Sequence, residues 1–305
     1  MTTQLTTNEF SQSEITTLDA CGRKWFWQYG QRLKRIGMWN WNFVVGNELH
    51  TFLENFYKKS LLPTHSVFNP KVGEDVLRTA DFLSKREFWE IVFPAYCTVY
   101  KQLYPSEPFE IAPDGVEVLA CREYRGINFK GKIDLRGTHK KNAFISDHKS
   151  TGKLEVLGDQ LHQRFQFPFY FWLSGIEEGE FMVNRIKKPA QRQGKKETTR
   201  EFAQRVAHEI LDSPIDYFAR EWTYFSKEEM VKFQTEILDP KVNQLLRILD
   251  GKHEDSFIWT NKVGGNCYTY NSPCPFLSLC YDDEALASVE YEQKTSKHEE
   301  LEVEE

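Results

Sequence analysis

The chain has no run of the ~18 consecutive apolar residues that a membrane-spanning helix needs, although 40% of its residues are hydrophobic. Its opening stretch, MTTQLTTNEF, lacks the basic segment followed by an apolar one that marks a secretory signal. A cytoplasmic location with no membrane association is therefore expected. There is no G-x-x-x-x-G-K-[S/T] phosphate loop, so the chain is not expected to act as an ATP-driven helicase itself. No internal repeat stands out. Cysteine is scarce: six in 305 residues are too few for a disulfide scaffold. In a reducing compartment, clustered cysteines read as metal ligands or catalytic thiols.

The net charge of −6 conceals two regions of opposite sign. Residues 282–305 carry ten acidic and two basic side chains, and the preceding body is slightly basic, with 35 acidic and 37 basic residues. The acidic tail reads as solvated and disordered. A tail of this charge could also bind a partner or mimic a nucleic acid.

Hydrophobic spacing predicts a helix over about 14–30, capped by Ser11 or Ser13, with Ile15, Leu18, Cys21, Trp25 and Tyr29 on one face. A second helix is expected over about 43–60, carrying His50 at a buried or cleft-edge position. Residues 72–104 read as one or two helices with a break at Pro94. From about 115 the pattern changes to a meander of strands: GVEVLACREY, INFKGKIDLRG and NAFISDHKS. Then follow a helix over 158–176, a strand near 179–187, a helix at 200–211, a strand at 217–225 and a helix at 227–249. The fold class expected is α/β, a mixed sheet flanked by helices. Four parts are delimited: a helical N-terminal region over 1–110, a core over 111–250, a cysteine-bearing segment over 251–281 and the tail over 282–305.

The chemistry concentrates in the meander. Phosphodiester hydrolysis needs an in-line water and a sink for charge on the leaving oxygen, and divalent cations supply both. Asp134 and Asp147 each lie near the end of their own strand, where a hairpin could bring them together as oxygen ligands for Mg²⁺ or Mn²⁺. The main-chain carbonyl of His148 is a further candidate ligand. Lys149 is two residues beyond Asp147, so both side chains point to one face of a strand. An ammonium there can orient a water or stabilise transition-state charge. Taken alone, Asp-x-Lys is a common surface ion pair.

The succession GNELH (46–50), Glu117, GKIDL (131–135), DHK (147–149) and QFPFY (166–170) resembles the RecB-type branch of the PD-(D/E)xK nuclease superfamily. That branch includes phage and bacterial exonucleases and CRISPR-associated adaptation nucleases. The opening SQSEITTLDACGRKWFWQYG resembles its N-terminal helix, so the likeness spans about 11–281. It implies a restriction-endonuclease-like sheet, with His50, Asp134 and Asp147 as metal ligands and Lys149 as the catalytic lysine. Gln166 and Tyr170 match the family's Gln-x-x-x-Tyr motif, one helical turn apart on one face. Glu117 is a further candidate, with Glu123 an alternative at an even offset on the same strand. His65, Asp81 and His139 fall outside the pattern.

Cys267, Cys274 and Cys280 lie near the C-terminal end, and Cys21 near the start, with gaps too wide for the C-x2-C knuckles of structural zinc. Iron–sulfur clusters tolerate irregular loops. The resemblance implies a 4Fe–4S cluster on these four cysteines, one before the core and three after it. Cys97 and Cys121 read as core residues.

Two basic groups are candidate DNA contacts. One comprises Arg23 and Lys24, continued by Arg32, Lys34 and Arg35. The other is the 184–200 segment, with seven Lys/Arg against one Glu, including Lys187, Lys188, Arg192, Lys195 and Lys196. Trp25, Trp27, Trp39 and Trp41 are candidate stacking residues or helix packing. The activity expected is metal-dependent exonucleolytic cleavage of DNA ends or single strands in recombination, repair or phage DNA metabolism. A separate helicase or recombination protein is a conceivable partner. The alternatives are an adaptation-type end-trimming nuclease and a non-catalytic, cluster-stabilised DNA-binding accessory protein.

Overall fold

The computed structural model describes residues 8–36, 40–59, 67–68, 70, 79–154, 161, 164–250, 267–269, 272–281 and 287–301. Trp39, His65 and the start of the helix expected from 158 lie outside them. The segment opens with a short strand, β1 (Glu9–Ser11), and helix α1 (Gln12–Ala20). Ser11 caps α1: its hydroxyl accepts from the Glu14 N–H at 3.2 Å. The helix expected to run unbroken to residue 30 stops at Cys21, whose backbone is extended (φ −163°, ψ 110°). It restarts as α2 (Gly22–Trp25) and widens into a π-helical turn over Phe26–Gly30. Cys21 thus sits at a break between helices and not on a continuous helical face.

After β2 (Leu33–Arg35) come the long helices α3 (Trp41–Tyr57) and α4 (Ala80–Leu103). Helix α4 continues through Pro94, the one-helix form of the two readings the sequence left open. The sheet follows: β3 (Glu110–Tyr124), β4 (Ile127–His139) and β5 (Asn142–Thr151) form an antiparallel meander. Helix α5 (Gln166–Leu173) then crosses over to β6 (Gly179–Lys187), which lies parallel to β5. Helix α6 (Thr199–Asp212) leads to β7 (Phe218–Phe225), antiparallel to β6. Helices α7 (Lys227–Lys232) and α8 (Asp239–Leu249) are joined by a π-helical turn over Phe233–Leu238.

The sheet is mixed, in the order β1–β4–β5–β6–β7 with β3 on the other edge of β4. The central strand β6 buries both faces: Phe181 and Val183 pack into one apolar cluster, Met182 and Ile186 into the other. Helices α1, α2, α5, α7 and α8 cover the first face; α3, α4 and α6 cover the second. Helix α5, QFPFYFWL, is buried on almost every side. Among the described residues no helix is long and apolar enough to cross a membrane.

The basic segment after β6 is exposed over 192–196 and tethered at its two ends. Gln191 donates to Tyr217 Oη at 2.7 Å, and Arg205 holds Glu197 at 2.8 Å. The acidic tail is likewise docked over 287–301. Past the β8 (Tyr268–Thr269)/β9 (Ser272–Pro273) pair and α9 (Leu277–Tyr281), α10 (Ala287–Glu290) leads into β10 (Tyr291–Gln293). Strand β10 pairs antiparallel with β2, opposing Glu292 to Lys34. Beyond it, Lys297 and His298 reach fully buried Glu14, at 2.9 and 3.2 Å. Charge alone pointed to disorder, but Lys297 has a buried partner at the opposite end of the chain.

Candidate active site

A fork between β4 and β5 creates the site. Their ladder ends at the pair Leu135/Ser146. The next two residues across the fork are Asp134 and Asp147, and there the strands part. Strand β5 continues against β6 to Thr151, while the first half of β4 takes β1 as its neighbour over 128–130. The main-chain N–H of His148 donates to Asp134 Oδ2 at 2.6 Å. A side-chain carboxylate thus satisfies a backbone donor that the ladder no longer serves.

Opposite Asp134 on β3 lies Glu117, since the register pairs Val116 with Leu135 and Val118 with Ile133. Glu117 has φ 55°, the left-handed region that L-residues seldom adopt. The strand alternation changes phase here. Val118 and Ile133 pack with one apolar cluster, Val116 and Leu135 with the other. This local reversal is a strained device that aims two acidic side chains at one point. Helix α3 covers the point with His50. Ligand atoms of His50, Glu117 and Asp134 all lie within 4.8 Å of one another. The sequence left Glu123 open as an alternative; it sits on the outer surface beside Cys121 and Asn128.

His50 Nε2 donates to the His148 carbonyl at 3.1 Å, leaving Nδ1 facing Asp134 Oδ1 at 3.6 Å. A histidine held by its other nitrogen on a backbone carbonyl is oriented as metal-ligating histidines usually are. The carbonyl offered by the sequence as a ligand here accepts from His50. Burial raises the Asp134 carboxyl to about 7; His50 opposes the rise, and the carboxylates of Asp147 and Glu117 add to it. A buried carboxyl whose charge is disfavoured, with Glu117 and His50 beside it, is a donor set that a divalent cation would relieve, so these residues fit one.

Asp147 and Lys149 point to the α5 side. The Lys149 ammonium bridges both oxygens of Asp147, at 3.0 and 2.7 Å. Gln166, at the start of α5, donates to Asp147 Oδ1 at 3.1 Å and to Tyr170 Oη at 3.0 Å. The expected pair thus stands beside the expected carboxylate. Between Asp147 and Lys149, His148 turns to the other face. Burial, then the nearby charges of His50, Arg220 and Lys149, push its imidazole well below the ordinary histidine value, so it is neutral. Lys132, which the sequence did not single out, pairs with Glu117 at 2.5 Å.

The cysteines converge from both chain ends. Cys21, Cys267 and Cys274 all act electrostatically on the Cys280 thiol, which burial raises, and Arg23 lies close enough to lower it. Lys24 acts in the same way on Cys274. The Cys274 N–H donates to the Cys267 carbonyl at 2.8 Å. Among the described residues, no three thiols lie within 4.8 Å of one another. A tetrahedral zinc, with Zn–S of about 2.3 Å, would draw them to roughly 3.8 Å.

The DNA-contact candidates divide. Arg23, a candidate DNA contact, is buried beside the cysteines. Lys34 and Arg35 face Glu292 and Glu290 of the tail, at 3.4 and 3.5 Å. Lys187 lies over the Tyr217 ring, and Lys188 donates to Asn42 Oδ1 at 2.7 Å. Arg192, Lys195 and Lys196 are exposed. Trp25 and Trp27 are core residues, and Trp41 stacks on Phe82, so the described tryptophans pack internally.

No curated protein matches the sequence. Among solved structures, a provisionally named exonuclease from Eubacterium rectale aligns at 12% identity with a TM-score of 0.45, over 89% of this chain and 92% of that one. A protein called SSO0001 aligns at 13% identity with a TM-score of 0.35, over 90% and 86%. The family model for the PD-(D/E)XK nuclease superfamily matches residues 9–281, and the chain belongs to that superfamily.

Proposed function

We propose that the protein is a Mg²⁺- or Mn²⁺-dependent deoxyribonuclease of the RecB type, acting exonucleolytically on DNA ends or single strands. The observation that carries this reading is the convergence of His50, Glu117 and Asp134 within 4.8 Å at a strand fork. Asp147 and Lys149 form the other lip of that fork, with the lysine side chain one-third exposed.

In this reading His50, Glu117, Asp134 and Asp147 hold the cation. A bound divalent ion would acidify a water and stabilise charge developing on the leaving oxygen. Gln166 fixes the orientation of Asp147 through Oδ1. Lys149 uses Asp147 as its anchor and presents its remaining donors toward solvent, where a scissile phosphate or an attacking water would lie. The exposed Arg192, Lys195 and Lys196 offer sequence-independent phosphate contacts.

Cys21, Cys267, Cys274 and Cys280 are assigned to a 4Fe–4S cluster of structural role. The mutual electrostatic influence of the Cys21, Cys267, Cys274 and Cys280 thiols, with Arg23 and Lys24 beside them, supports the assignment. The chain is then organised as a helical N-terminal region, a nuclease core, a cluster-binding segment and a tail.

End-labelled single- and double-stranded DNA, incubated with wild type and Lys149→Ala in Mg²⁺, Mn²⁺ or EDTA, tests the activity. Metal-dependent shortening from the ends by wild type, lost in the variant, is expected. Absence of cleavage by wild type on every end type would sink the reading. Visible absorption of anaerobically purified protein tests the cluster; a colourless protein containing zinc would refute it.

A further inference from the structure

Behind the site, three strands line up a row of polar side chains in the interior. The register sets His148 of β5 beside Asn184 of β6, and Asn184 beside Arg220 of β7. All three lie on the sheet face covered by α3 and α4. Asn184 is fully buried, and its Nδ2 donates to His148 Nδ1 at 3.0 Å and to Tyr100 Oη of α4 at 2.9 Å. Arg220 donates to Tyr57 Oη and Tyr100 Oη, each at 3.0 Å, and forks onto Glu107. The Tyr57 and Tyr100 hydroxyls meet at 2.6 Å. The Tyr57 ring stacks on the His148 ring, centroids 5.7 Å apart and planes 4° from parallel.

This network joins the two halves of the candidate cation site. Tyr57 follows His50 by seven residues on α3, two helical turns along the same face. The other partner, His148, holds Asp134 with its N–H and His50 with its carbonyl. Helix α3 is therefore placed against the sheet by two contacts with one residue: His50 on the backbone of His148, and Tyr57 on its ring. Asn184, donating to Nδ1, fixes that ring from the far side; Arg220 fixes Tyr57. A core needing only to fill this space would use apolar groups, because buried polar groups stabilise little and are costly when half-satisfied.

We propose that Asn184 and Tyr100, with Tyr57 and Arg220, are positioning residues that set the spacing of His50 from Asp134 and thereby the affinity for a divalent cation. The proposal rests on the reading of His50 and Asp134 as cation ligands. Partners beyond the ligands themselves commonly change metal affinity by about 10- to 100-fold.

The experiment titrates Mn²⁺ alone into the purified full chain, without DNA, and follows free Mn²⁺ by electron paramagnetic resonance. Asn184→Leu removes both donors. Tyr100→Phe keeps the ring and removes only the hydroxyl, so it decides the matter if Asn184→Leu fails to fold. Val206→Ala, in the core of α6 away from the row, is the control for general destabilisation. Mn²⁺ binding weakened about tenfold or more in the row variants, and unchanged in Val206→Ala, is the expected result. Wild-type affinity in both row variants would overturn the proposal, as would an equal loss in Val206→Ala. Wild type that binds no Mn²⁺ would instead remove the ligand assignment itself.

Discussion

Lys132 reaches across the ladder to Glu117 at 2.5 Å, and Glu117 faces Asp134 from the neighbouring strand. The cation of Lys132 therefore stands on the outer side of an acidic pair whose inner side is covered by His50. Two carboxylates are held close together at a point of backbone reversal, and this arrangement has measurable costs.

The first cost falls on Asp134. Its folded-state value is raised above the usual carboxylate range to about 7, chiefly by burial. Its protonated form therefore favours the folded chain. That contribution is complete below the unfolded value, is lost as pH rises, and is gone above about 7. In EDTA, Asp134→Asn should melt higher than wild type at pH 8, and the advantage should vanish near pH 4. Added Mn²⁺ should raise the melting temperature of wild type and leave that of the variant unchanged. Melting curves at the two pH values, with and without metal, check both signs.

The second cost is in the backbone. Glu117 has φ 55°, where an L-residue loses about 1–2 kcal/mol relative to glycine. Elsewhere in a strand, alanine is more stable than glycine. At position 117 the order should invert, with Glu117→Gly more stable than Glu117→Ala by about 1 kcal/mol. Urea unfolding of the two variants measures the difference. Both should lose Mn²⁺-dependent cleavage, because neither restores the carboxylate.

The docked tail separates a buried ion pair from a surface one. Lys297 pairs with fully buried Glu14, which also accepts from the Trp25 indole at 2.9 Å. Lys297→Met should destabilise the protein by about 3 kcal/mol, since it removes the ammonium from a buried carboxylate. Lys34 contacts Glu292 at 3.4 Å in solvent, and Lys34→Ala should cost less than about 1 kcal/mol. Denaturant midpoints and slopes of the two variants provide the comparison.

Much of the site was legible because its chemistry is local in sequence. Asp147 and Lys149 share a face by strand parity. Gln166 and Tyr170 share one by helical spacing. The α/β succession followed from changes of hydrophobic period, and most element limits fall within a few residues of those expected. The illegible parts depend on long-range register or on backbone exceptions. No local pattern places Asn184 beside His148 or Arg220 beside Asn184; strand pairing does. The left-handed Glu117 lies inside a run that alternates like any strand, so its role in turning β3 was invisible. Cys21 has helical spacing on both sides, and only its extended backbone shows the break. The tail was misjudged because net charge says nothing about individual cations with buried partners.

The Glu14 contacts also bear on how the chain is made. Helix α1 is made about 280 residues before Lys297 and His298, so its buried carboxylate meets them only after that intervening stretch has emerged from the ribosome. At about 5–20 residues per second, that wait is roughly 15–60 s. During synthesis α1 must carry an acidic group without its final partners. The β3–β7 sheet has all its strands by residue 225 and can assemble earlier. Contacts of the cysteine-bearing end with the N-terminal helices can therefore form only after every strand of that sheet has been made.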